Sequence, residues 1–106
     1  MKIGIIISQT EPETVWNAFR FGNFSLGKQH HVKVFLIGKG VELEEINDEK
    51  FNVKQEVEKF LRDKGIIYAC GTCLKSRKMQ NLLVCPISTM QDLMNIVVES
   101  DKIVSF

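Results

Sequence analysis

The 106-residue chain lacks any marked excess of charge: 14 Lys and Arg face 13 Asp and Glu, a formal net charge of +1. That balance leaves no electrostatic footprint of a nucleic-acid binder or of a protein drawn to an anionic membrane. Long apolar runs are also missing. The longest, such as Ile5-Ile-Ile7 and Val34-Phe-Leu-Ile37, are strand-sized, far short of the roughly 20 residues that span a bilayer. Cysteine is scarce and odd in number, with three residues and no framework spacing, which argues against a disulfide scaffold. The opening Met1-Lys-Ile-Gly-Ile-Ile-Ile-Ser8 has a Lys ahead of an apolar run. The run is short, however, and Gln9-Thr-Glu-Pro-Glu13 follows at once, so it reads as a first core strand and not as a signal peptide. Reduced thiols in the cytoplasm are therefore expected. No linker, repeat or low-complexity segment interrupts the chain. Its length and its 44% hydrophobic, 25% charged composition suit one domain, residues 1–106, with its own core.

Hydrophobic spacing orders the elements. Lys2–Ser8 is β-branched and nearly continuous in apolar side chains, as in a strand buried on both faces. Thr10 with Glu13 and Pro12 predicts a helix start, and Val15, Phe19, Gly22 and Leu26 then repeat at helical spacing to about Gly27-Lys28. His31–Ile37 is a second strand, broken by Gly38-Lys-Gly40. Val41–Glu45 predicts a short helical turn and Asn47–Glu49 a loop. Val53, Val57, Phe60 and Leu61 form one stripe of an amphipathic helix over about Asn52–Lys64, with Gly65 as its stop. Ile66–Ala69 is a third strand. A short helix through Leu74 and Met79 follows, then a fourth strand over Leu82–Val84, closed by Cys85-Pro86. Ser88–Gln91 caps a helix predicted to turn Met90, Leu93, Met94, Val97 and Val98 inward. Asp101–Phe106 is the last strand. This β-α alternation predicts a parallel α/β sheet with helices on both faces and right-handed crossovers.

Chemistry concentrates at the end of the third strand, the edge where open α/β sheets place their sites. Cys70 and Cys73 form a Cys-x-x-Cys there, within Cys70-Gly-Thr-Cys-Leu-Lys-Ser-Arg77, expected at an exposed tip. Gly71-Thr72 permits a tight turn, and Lys75 and Arg77 add positive charge that favours a thiolate. The spacing fits three chemistries: a dithiol–disulfide pair, half of a zinc site, or one reactive thiol with a second that resolves it. Zinc needs about four ligands. Cys85, His30 and His31 would have to complete the set, with no second Cys-x-x-Cys and no His-x-x-x-His to help. The plainer alternative for Cys70 is a buried, inert thiol. Cys85 reads as a core thiol beside a turn proline, and His30 and His31 as surface residues on the opposite edge. Ser8-Gln9 and Gly38-Lys39 end neighbouring strands on the rim of the cysteines. Gly38-Lys-Gly40 can hold an anion but lacks phosphate-loop spacing. No carboxylate pair and no Ser-His-Asp set stands out.

The cysteine loop Cys70–Arg77, the segment Ser88-Thr-Met-Gln-Asp-Leu93 and the C-terminal Asp101-Lys-Ile-Val-Ser-Phe106 resemble the DsrE/DsrF-like family of sulfur-relay proteins, over nearly the whole chain. The resemblance implies a three-layer, flavodoxin-like fold with a parallel five-stranded sheet, assembled as homotrimers or hexamers. It implies a persulfide carrier or sulfurtransferase that exchanges sulfur with the thiols of partner proteins and uses no cofactor or metal. Cys70 matches the family's sulfur-bearing cysteine and Arg77 its following arginine. The chain departs from the pattern at Lys78, where a Gly is common, and at Cys73, where sulfur-relay members often carry a small apolar residue. A dithiol redox protein and a non-enzymatic oligomeric subunit are the alternatives.

Overall fold

A computed structural model describes all residues, 1–106. The elements are β1 (Lys2–Ile7), α1 (Pro12–Gly27), β2 (His31–Leu36), a 3-10 segment (Gly38–Glu45), α2 (Val53–Arg62), β3 (Ile66–Cys70), α3 (Gly71–Ser76), β4 (Ile87–Ser88), α4 (Met90–Glu99) and β5 (Lys102–Ser105). The five strands form one sheet in the order β4-β3-β2-β1-β5, with every pair parallel. The expected three-layer α/β architecture is thus observed.

Topology decides which helix covers which face. From β1 to β4 the chain steps across the sheet in one direction, so right-handed crossovers leave α1 and α2 on the same side. The return from β4 to β5 runs back past β1 and puts α4 on the other side. Packing agrees. A side chain at Gly22 of α1 would meet Phe60 of α2 and Ile5 of β1, whereas one at Gly4 would meet Ile96 and Ser100 of α4. The register sets Ile3, Ile5 and Ile7 beside Val32, Val34 and Leu36, with Ile67 and Ala69 beyond. All eight are buried under α1 and α2, where Phe19 and Phe60 meet edge-on at 5.4 Å between ring centroids.

Four details correct the sequence expectations. The N-cap of α1 is Glu11, not Thr10: with Pro12 in the first turn, the Glu11 carboxylate accepts from Thr14 N–H at 2.9 Å and Glu13 N–H at 3.3 Å. Leu82–Val84 is not a strand. The backbone N–H groups of Leu83 and Val84 are taken by the Glu44 carboxylate at 2.6 and 3.0 Å, and β4 falls on Ile87–Ser88 instead. The α2 stop is a Schellman motif in which Lys64 takes the left-handed φ of 75° and Gly65 N–H reaches Phe60 O at 2.8 Å. Finally, α4 is capped by a Thr89–Asp92 box, one residue beyond the expected Ser88–Gln91 segment, and only Ile96 is fully buried. Met90, Met94, Val97 and Val98 face outward, Val98 at 73% exposure, because α4 lies alone on its side of the sheet.

Candidate functional site

The site is built where β2 and β3 end. Cys70 is the last residue of β3, paired in register with Ser88 of β4. Its backbone remains extended at φ −60° and ψ 117°, and α3 starts at the next residue. Alternation along β3 sets Cys70 on the same face as Tyr68, the α4 side, while Ala69 faces α1 and α2. The expected exposure is not observed. Cys70 is buried, with 2% of its surface accessible, and belongs to the same core cluster as Leu74, Leu82 and Cys85. Cys73, one turn into α3, is half-buried and is the more accessible thiol.

The two thiols adjoin and bias each other. Burial raises the Cys70 pKa, and a hydrogen bond with the Cys73 side chain raises it further; the backbone N–H groups of Cys73 and Thr72 act in the opposite sense. Cys70 therefore holds its proton more firmly than a free thiol. On the other side of Cys73, the Gly38 N–H donates to its Sγ at 3.2 Å. Gly38 follows β2 with φ +57°, a conformation that glycine adopts without the clash a Cβ would bring. The Gly-Lys-Gly expected to offer an anion site thus supplies one donor, and that donor points at a sulfur.

Arg77 is placed differently from its expected role. Its Nε donates to Glu42 Oε2 at 2.8 Å and its guanidinium reaches Cys73 O at 3.2 Å. The pair ties α3 to the 3-10 segment, and the hydrogen bond from Arg77 holds the Glu42 carboxyl below its usual range. Lys78 takes the left-handed position of the Schellman motif that ends α3, with φ 57° and Met79 N–H on Leu74 O at 2.9 Å. This is the backbone geometry a glycine would suit, which accounts for the residue common there in the family.

The remaining candidates lie apart. Cys85 is buried beyond Leu82, its thiol pushed up to about 12 by burial and then by the Glu44 carboxylate. His31 starts β2 at the opposite edge, in a cleft of about 440 Å³ that also takes in His30, Lys33 and Glu99. No three His, Cys, Asp or Glu side chains converge as a metal set would require. Sequence reasoning missed the Gly38–Cys73 contact; the glycine pair after β2 was its only signal.

A parallel α/β sheet with a pair of adjoining thiols at the carboxyl end of its third strand is the class of protein defined here. The chain belongs to the DsrE/DsrF-like family, which it matches over residues 1–106. It is 32% identical over 112 residues to the uncharacterized protein MK0008 of Methanopyrus kandleri, covering 98% of this chain and 93% of that one. It is 30% identical over 114 residues to the uncharacterized protein MJ0989 of Methanocaldococcus jannaschii, covering both chains fully. Among solved structures, the ychN protein of E. coli superposes with a TM-score of 0.83 at 20% identity, covering 100% of both chains. A conserved protein of unknown function from Bacteroides thetaiotaomicron, BT1422, superposes at 0.78 and 22% identity over 99% of this chain and 94% of that one. These two likenesses establish the fold. No helix is long and apolar enough to cross a membrane.

Proposed function

We propose that the protein is a sulfur carrier that takes up a sulfane sulfur as a persulfide on the Cys70–Cys73 thiol pair and hands it to a thiol of a partner protein. Family membership supports a sulfur-relay role in general. The observation that carries the specific reading is the pair itself: two adjoining sulfurs at the strand end, with the Gly38 N–H aimed at one of them. A persulfide is anionic at neutral pH and gains from such donors. Arg77 serves the pair as a brace, through Glu42 and the Cys73 carbonyl. No cofactor takes part, and the reading places the protein in the reducing cytoplasm.

The test is treatment with glutathione persulfide followed by intact-mass measurement. The wild-type protein is expected to gain one sulfur atom and Cys70→Ser/Cys73→Ser none. Equal gain by both proteins would sink the proposal. The same sulfur contact favours a second reading, a dithiol redox protein. That reading requires a reversible Cys70–Cys73 disulfide, and a redox titration left unchanged by Cys73→Ser excludes it. Assembly into a homo-oligomer is part of the proposal, supported by the outward apolar side chains of α4.

A further inference from the structure

The two cysteines of the pair stand in different surroundings, and the difference assigns them different work. We infer that Cys73, and not the buried Cys70, is the thiol that meets the sulfur donor, with the Gly38 N–H supplying a hydrogen bond to its sulfur; this rests on the thiol-pair reading above. Two observations support the division. Cys73 is half-buried and reachable, whereas Cys70 has 2% of its surface exposed. Gly38 N–H donates to Cys73 Sγ at 3.2 Å, from a backbone conformation at φ +57° that fixes the direction of the bond. A donor protein presenting a persulfide must bring its outer sulfur to the attacking thiol, and the buried position of Cys70 obstructs that approach.

The step balances without an added oxidant or reductant. The Cys73 thiolate attacks the outer sulfur of R–S–SH, and a new S–S bond forms. The bond from R–S to that outer sulfur breaks, and R–S⁻ leaves with the bonding pair. The proton stays on the transferred sulfur, giving Cys73–S–SH. Charge is carried on Cys73 Sγ before attack and returns there when the sulfur is passed on. The Gly38 N–H is placed to hold it at both moments.

Alkylation of the folded wild-type protein with a sub-stoichiometric amount of iodoacetamide, followed by peptide mapping, reads the order of the thiols. Label on Cys73 at about tenfold or more over Cys70 and Cys85 is expected; label on Cys70 first overturns the assignment. Glutathione persulfide separates the carrier reading from the order of the thiols. Cys70→Ser is expected to gain one sulfur atom and Cys73→Ser none; the reverse pattern overturns the inference. Label on Cys73 first, with no sulfur gained by the wild-type protein, sinks the carrier reading and leaves the order of the two thiols standing.

Discussion

The two faces of the sheet are finished to different degrees. The face carrying Ile3, Ile5, Ile7, Val34 and Ile67 lies under two helices that also pack on each other, and its central side chains are buried; only Ile87, on the edge strand β4, is left open, at 51% exposure. The face carrying Gly4, Ile6, Phe35 and Tyr68 has only α4, seated over the gap that Gly4 leaves. The closed face supplies the stability of the fold. The open face leaves Ile66, Ile103 and the outer side chains of α4 uncovered.

The largest expected effect falls on the closed face. Phe60 is fully buried between α1 and the sheet, edge-on to Phe19 at 5.4 Å. Phe60→Ala removes that ring and leaves a cavity, at an expected cost of about 3–5 kcal/mol. Urea unfolding measures it. A loss below about 1 kcal/mol would show that α1 and α2 do not seal this face as a unit.

A second effect tests the closure at the carboxyl edge of the sheet, where Leu82 and Cys85 join the core. The Cys85 thiol is pushed from its ordinary 9.0 up to about 12 in the folded protein. The sign follows from the direction of the shift. A group with a raised folded pKa contributes stability that is complete below its unfolded pKa and is lost as pH rises through the folded value. Stability is therefore expected to fall between about pH 9 and 12, as the unfolded chain ionises this thiol and the folded protein does not. Cys85→Ala should flatten that fall in a series of thermal melts. An unchanged slope would mean that Cys85 is more open to water than the packing around it implies.

Much of this arrangement was legible in the residues, for reasons that also explain the failures. The strands of the centre were readable because a parallel strand buried on both faces is continuous in β-branched side chains, as in Ile3–Ile7 and Val32–Leu36. The α2 stripe of Val53, Val57 and Phe60 was readable because charges fill its other side. Leu82–Val84 looked like a strand by the same apolar criterion. Yet a carboxylate 40 residues away, on Glu44, takes the backbone N–H groups that a ladder would need, and Leu83 is left 99% exposed. The α4 stripe misled in a related way, since an apolar stripe left in solvent has the same periodicity as one packed in a core. At the site, Cys70, Cys73 and Arg77 do gather at one rim, as their spacing suggested. What spacing could not convey was rank: the ion pair between Arg77 and Glu42 spans 35 residues, and so does the Gly38 contact that distinguishes Cys73 from Cys70. Contacts of that separation leave no periodic trace.

The smallest expected effect on stability belongs to the open face, and it sharpens the comparison most. Met94 and Val98 sit one helical turn apart on the outer side of α4, at 56% and 73% exposure, and a side chain that open to water contributes little to the folding of its own chain. Met94→Gln with Val98→Ser should therefore shift the unfolding free energy by no more than about 0.5 kcal/mol. Association is a different matter. If copies of the chain meet through this face, burying those side chains drives the contact at about 25 cal/mol per Å² of apolar surface covered, and two polar groups at its centre oppose it. Light scattering across a concentration series is expected to find an oligomer for the wild type and a monomer for the double variant. A variant that stays oligomeric would move the interface elsewhere. A variant that stays monomeric but loses several kcal/mol would mean that α4 is packed as tightly as α1 and α2, and the contrast between the two faces would collapse.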